Sequence, residues 1–187
     1  MKTKLQKLLF RSVLFASLSF FSGISFAEVK MPEIFGDHMV LQEGFSLVWG
    51  EADPGEKITV TYAGATANGV AEQSGEWKVE LKGLKSSEVG KPLRISGNNT
   101  IQFEDVIVGD VWVAAGQSNM EIGLEKLGRS KEIESKKVDP RIRLFVVPFA
   151  PSIIPQKTFT PNPDKPYAGK WIVATPETAT KCFSAVG

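Results

Sequence analysis

Between about residue 45 and residue 105, several runs alternate apolar and polar positions with a period of two. Ile58, Val60 and Tyr62 interleave with Lys57, Thr59 and Thr61, and Trp77, Val79 and Leu81 interleave with Glu76, Lys78 and Glu80. Successive side chains of a strand point to opposite faces, so each run buries one set and wets the other. The runs FSLVWG, KITVTYAG, EWKVELKG, KPLRIS and TIQFEDVIV are rich in Val, Ile, Phe, Trp and Thr and predict strands. Asp53-Pro54-Gly55, Ser74-Gly75 and Gly97-Asn98-Asn99 supply turns between them. Asn98-Asn99-Thr100 is also a glycosylation sequon by letter, though the turn already accounts for it. Short strands at this spacing, with no helical period between them, predict a small antiparallel β-sandwich over residues 28–105.

From residue 106 the pattern changes. VIVGDVWVAA is apolar nearly throughout, which predicts a strand covered on both faces of a parallel sheet. A helix-like segment follows over Met120–Leu127, with Ile122, Leu124 and Leu127 apolar and Gly128 placed to end it. RIRLFVV, after the turn Val138-Asp139-Pro140, predicts a second strand. Six prolines between residues 148 and 166 exclude helix and central strand, leaving a long loop that is either functional or a spacer. A short strand around Trp171 then leads to a helix start, with Thr175 as cap and Pro176 in the first turn. Strand, helix-like stretch and strand make the opening of an α/β unit. The expected fold is therefore mixed α/β: a sandwich, then the first part of an α/β domain over 106–187 that reads as incomplete.

The first 27 residues fit neither region. Lys2, Lys4, Lys7 and Arg11 precede an apolar run, Val13–Phe21, which ends in the small-residue pattern Ser25-Phe26-Ala27. This is a secretory signal pattern with cleavage expected after Ala27. A membrane anchor is the alternative, but Ser17, Ser19, Ser22 and Gly23 leave the run short of the roughly 20 apolar residues a span needs. The expectation is a secreted or periplasmic protein with no membrane contact after cleavage. Loss of four basic residues from 22 leaves 18 against 21 acidic ones, a net charge near −3. The basic residues are scattered, so nothing points to nucleic acid. Cys182 is the single cysteine, so stability has to come from core burial rather than an internal disulfide. Its neighbours Ala179, Phe183 and Val186 make it a buried structural thiol in an amphipathic helix.

Candidate chemistry centres on Ala114-Ala115-Gly116-Gln117-Ser118-Asn119-Met120-Glu121. Two readings compete. Ser118 and Glu121 have capping-box spacing at a helix start. Alternatively, Ser118 is a nucleophile at the end of a parallel strand, where α/β sheets bind ligands. A following helix offers free N–H groups to an oxyanion, and a serine needs a base to become nucleophilic. The single histidine, His38, lies in the sandwich, so it reads as structural, in the company of Asp37. Asp110 reads as the opening of the strand before the turn. A different class of function is glycan binding through Trp49 and Trp77, and a third possibility is a structural remnant.

The stretches GDHMVLQEG, VWGEADPGEKITVTYAG, GEWKVELKGL and FEDVIVGDVWVAAGQSNME together resemble the N-terminal part of the sialate O-acetylesterases, serine esterases of the SGNH hydrolase superfamily. The resemblance runs from about Pro32 to Gly187, and GDVW…GQSNM is its most specific part. It implies that Ser118 is the nucleophile, that its N–H joins an oxyanion hole, and that Gly116, Gln117 and Asn119 neighbour the site. It implies an accessory β-domain before the catalytic domain, no metal and no organic cofactor. The implied substrate is acetylated sialic acid or another O-acetylated glycan, with acetylxylan-type esters as an alternative. The family's Asp-x-x-His pair has no counterpart in these 187 residues. The expectation is an N-terminal fragment that is inactive as given, because loss of a triad base costs several orders of magnitude in rate.

Overall fold

The computed structural model describes residues 28–128, 131–132, 137–159, 163–181 and 184. Seven strands occupy its first part: β1 Val40–Gln42, β2 Gly44–Glu51, β3 Lys57–Tyr62, β4 Ala65–Val70, β5 Glu76–Leu84, β6 Ser87–Ser96 and β7 Thr100–Gly109. Five form one sheet in the order β1-β7-β6-β3-β4, and β2 pairs with β5 separately. Apolar faces of both sheets converge on one core. In β3 and β5 the alternation in the sequence decides which side chains enter it. Ile58, Val60, Tyr62, Trp77, Val79 and Leu81 are all buried, while Lys78 and Glu80 between them are exposed. Full burial of a side chain such as Leu81 or Ile95 contributes about 1.5–3 kcal/mol. Tyr62 enters the core with its hydroxyl donating to the Val106 carbonyl at 2.8 Å, so no polar group is stranded.

The sheet is mixed rather than purely antiparallel, because β1 pairs with β7 in parallel, Val40 opposite Ile107. Parallel neighbours need a long crossover, and here the crossover is the whole of β2–β6. The turns perform as their residues predict. The Glu56 carboxylate, itself buried, accepts from the Asp53 and Asn98 N–H groups and so ties two turns together. The Asn99 side chain bonds both the N–H and the carbonyl of Val29.

The strand expected over 106–115 does not form as one element. Val106, Ile107 and Val108 are buried on β7, but β7 ends at Gly109. Residues 110–116 are irregular, exposed and outside any ladder, with Trp112 and Val113 each 88% exposed. The reason is the absence of a pairing strand among the described residues, so the apolar sequence has nothing to be buried against. The expected parallel α/β unit is also corrected. β8 Arg143–Phe145 pairs with β9 Trp171–Val173 antiparallel. Antiparallel partners need no crossover helix, and the proline-rich connection has none among its described residues. Phe145 packs against Trp171 and Phe159, with ring centroids at 5.3 and 5.8 Å. Trp171 reaches the main core and donates from Nε1 to the Ile34 carbonyl at 2.7 Å. The helix Pro176–Lys181 starts as predicted: Thr178 N–H donates to Thr175 Oγ1 at 3.1 Å. Cys182 and its neighbours Phe183 and Val186, like residues 1–27, lie outside the described residues.

Candidate active site

Ser118 opens a four-residue 3-10 turn, Ser118–Glu121, immediately after the irregular segment 110–116 and the extended Gln117. The helix expected over 120–127 is two such turns, the second being Leu124–Leu127, separated around Gly123. Gly128 closes the second turn at φ 66°, the left-handed termination its glycine predicts. Gly123 bridges to Ser184, whose hydroxyl lies 3.6 Å from Met120 Sδ.

The capping-box reading fails. The cap position is Gln117, with no side-chain cap hydrogen bond, and Ser118 is already inside the turn. The Met120 N–H bonds the Gln117 carbonyl at 2.9 Å, not the Ser118 hydroxyl. Ser118 is exposed and its hydroxyl meets no hydrogen-bonding partner among the described residues. Gly116, Gln117 and Asn119 are exposed beside it. Gly116 is closely approached by the Met120 side chain, since a Cβ there would lie 2.9 Å from Met120 Cγ. The turn leaves N–H groups at its start without intrahelical partners, but four residues carry little of the macrodipole of a long helix.

The neck of this segment is held by Gln42. Its Oε1 accepts from Val111 N–H at 3.0 Å, and its Nε2 donates to Asp110 Oδ1 at 3.4 Å. Asp110 therefore does not begin a strand; it receives a side chain that extends β1 by one step. The open groove over β3 and β4, about 300 Å³ and lined by Ile58, Thr59 and Asn68 among others, includes none of residues 110–121.

His38 is not paired with Asp37. Its Nδ1 lies 2.7 Å from Asp105 Oδ2, while Asp37 accepts from the Glu104 N–H. Asp105 also receives Arg143 Nη1 at 2.7 Å. The Arg143 guanidinium first, and His38 second, hold the Asp105 carboxyl below its ordinary value. Nothing in the sequence pattern singles out this cluster, because its members lie 38 and 67 residues apart. Trp77 is buried in the core and so presents no face to a sugar; Trp49 is partly exposed, edge-on to Phe35 at 4.7 Å. No cluster of three His, Cys, Asp or Glu side chains able to hold a metal occurs among the described residues.

Comparison with known proteins gives this site its context. No family model matches the chain. A solved carbohydrate acetylesterase from Xanthomonas citri superposes with a TM-score of 0.71 at 34% identity, over 86% of this chain and 35% of that one. The chain is thus a relative of the carbohydrate acetylesterases. Sialate O-acetylesterase of Mus musculus is 30% identical over 151 residues, and that of Homo sapiens 28% over 142 residues, covering 72% and 67% of this chain. The chain belongs to the sialate O-acetylesterase family, and it spans 27% and 26% of the length of those two relatives.

Proposed function

We propose that the protein bearing this chain is an exported carbohydrate O-acetylesterase with Ser118 as its nucleophile. In this reading Ser118 Oγ attacks the acetyl carbonyl carbon while a base takes its proton. The tetrahedral oxyanion then collapses, the sugar oxygen leaves with a proton, and an acetyl-enzyme remains. Water attacks that ester, and acetate and the free serine result. Backbone N–H groups at the start of the Ser118 turn receive the oxyanion, each such donor contributing roughly 3 kcal/mol to transition-state stabilisation. Gly116, Gln117 and Asn119 shape the turn around it. The substrate is an O-acetylated sialic acid or a related O-acetylated glycan.

The observation that carries this reading is the coincidence of acetylesterase kinship with a serine that is exposed, outside the cap position and unengaged. His38 does not serve as the base, since it is tied to Asp105 in the β-domain. The base comes from sequence beyond these 187 residues, in keeping with the small share of the relatives' length that they span. Residues 28–105 act as an accessory β-domain and residues 106–187 as the first part of an SGNH-type hydrolase domain. Residues 1–27 direct export and are removed.

Hydrolysis of an acetyl ester by the full-length gene product and by its Ser118→Ala variant tests the assignment. Equal rates end it. Release of acetate from acetylated sialic acid but not from acetylated xylan selects the substrate, and sequencing of the mature N-terminus should begin at Glu28.

A further inference from the structure

Three described non-glycine residues have positive φ: His38 at 66°, Ala63 at 49° and Asp105 at 53°. Ala63, with Gly64, forms the tight turn between β3 and β4, where such angles are ordinary. The other two touch each other, through His38 Nδ1 and Asp105 Oδ2. Strained backbone of this kind persists only where the surroundings over-determine it, and it clusters at sites with a task.

The local sequence is arranged around Asp105. Lys91 pairs with Val106 and Leu93 with Phe103, so Pro92 on β6 faces two residues, Glu104 and Asp105, on β7. Pro92 has no N–H to give the ladder and is tolerated at such a bulge. The bulge turns Asp105 toward Gly90, where even a Cβ would overlap its backbone. The carboxylate so aimed receives Arg143 Nη1 at 2.7 Å and Nη2 at 3.4 Å. The Arg143 side chain is only 6% exposed, and its Nε is buried without a partner. A buried guanidinium that depends on one carboxylate is expensive to release.

Asp105 lies just before the chain leaves β7, and Arg143 is where it returns on β8. The excursion between them carries Ser118. We propose that Asp105 is a positioning residue for ester hydrolysis: it ties the outgoing and returning strands at the neck of the 110–142 excursion and thereby sets where Ser118 is held. His38 keeps the carboxylate turned toward Arg143. A second tie, Arg141 Nη1 to Glu88 at 2.6 Å, flanks the first. The role rests on the esterase reading above.

Asp105→Asn tests it, since Asn keeps the size and accepts the left-handed backbone but removes the charge. Hydrogen exchange is followed on the 187-residue chain, and ester hydrolysis on the full-length gene product. Amide protection at 143–145 and 171–173 should fall at least tenfold, with β3 and β6 unchanged. kcat should fall about tenfold, with KM within twofold of wild type, because small displacements of a reacting group are costly. Adding Arg143→Met to the variant should cause little further loss, since both remove one tie. His38→Asn, a second variant compatible with its backbone, should loosen the same amides to a smaller degree. Unchanged protection at β8 in Asp105→Asn overturns the proposal. So does an even loss across β3 and β6, or a wild-type kcat in a variant whose β8 has loosened. Full activity in Ser118→Ala overturns the esterase reading, and the positioning role falls with it whatever the exchange shows.

Discussion

Val106-Ile107-Val108 and Val111-Trp112-Val113 are two apolar triplets separated by Gly109 and Asp110, yet the first is buried and the second is exposed. The first belongs to β7, flanked by β1 and β6. The second has no ladder partner among the described residues. Both are apolar and β-prone, so the difference teaches that burial belongs to the neighbours a segment finds rather than to the segment. The same contrast separates the two parts of the chain. In residues 28–109 the alternating runs of β3 and β5 each bury one face in the common core, although Phe45, Leu47 and Trp49 of β2 stay exposed. In residues 110–181 the ribbon β8–β9 docks through a few specific contacts, while Phe149, Ile153 and Ile154 stay exposed.

The largest effect should be catalytic and confined to the second region. Ser118→Ala in the full-length gene product should lower acetyl-ester hydrolysis at least about a thousandfold, with no change in the urea midpoint, because the side chain is exposed and unbonded. Next comes stability, which should discriminate the regions. Leu81→Ala should cost about 2–5 kcal/mol in urea unfolding, whereas Trp112→Ser should stay within about 0.5 kcal/mol. Similar losses at both positions would break the comparison. Smaller again is Tyr62→Phe, which removes the buried hydrogen bond to the Val106 carbonyl and should cost about 0.5–1.5 kcal/mol.

The smallest effect concerns acid. Asp105 has a lowered folded-state pKa, so its contribution is fully present above the unfolded carboxylate range near 4 and is lost as pH falls through the folded value. Exchange at β8 should therefore quicken below about pH 4, and Asp105→Asn should remove that step. Asp139, held down to about 2 chiefly by its hydrogen bonds to Arg141, should keep its pair to lower pH.

How much could be read in advance differs by element. Period-two alternation located β3 and β5, because an inward face against one core leaves that mark in the residues themselves, and β-prone composition located β2, β6 and β7. β4 escaped it: Ala65–Val70 is small and polar, an edge strand with no fully buried side chain. β1 is three residues long and has no room for a period. Thr175 and Pro176 announced their helix because capping is a contact within one turn. Ser118 was legible as a candidate, and its neighbours Gly116, Gln117 and Asn119 with it. That it stands outside the cap position and exposed required coordinates.

The sequence by itself settled the local matters: which strands alternate, where turns fall, which serine merits attention, and kinship with the acetylesterases. The three-dimensional arrangement settled partnership. It set β1 parallel to β7, left 110–116 without a ladder, and joined His38, Asp105 and Arg143 in one cluster. Propensity and period act over a few residues and are written in them. Pairing across 38 or 67 residues depends on which surfaces remain free once the rest has packed, and no short stretch of sequence encodes that.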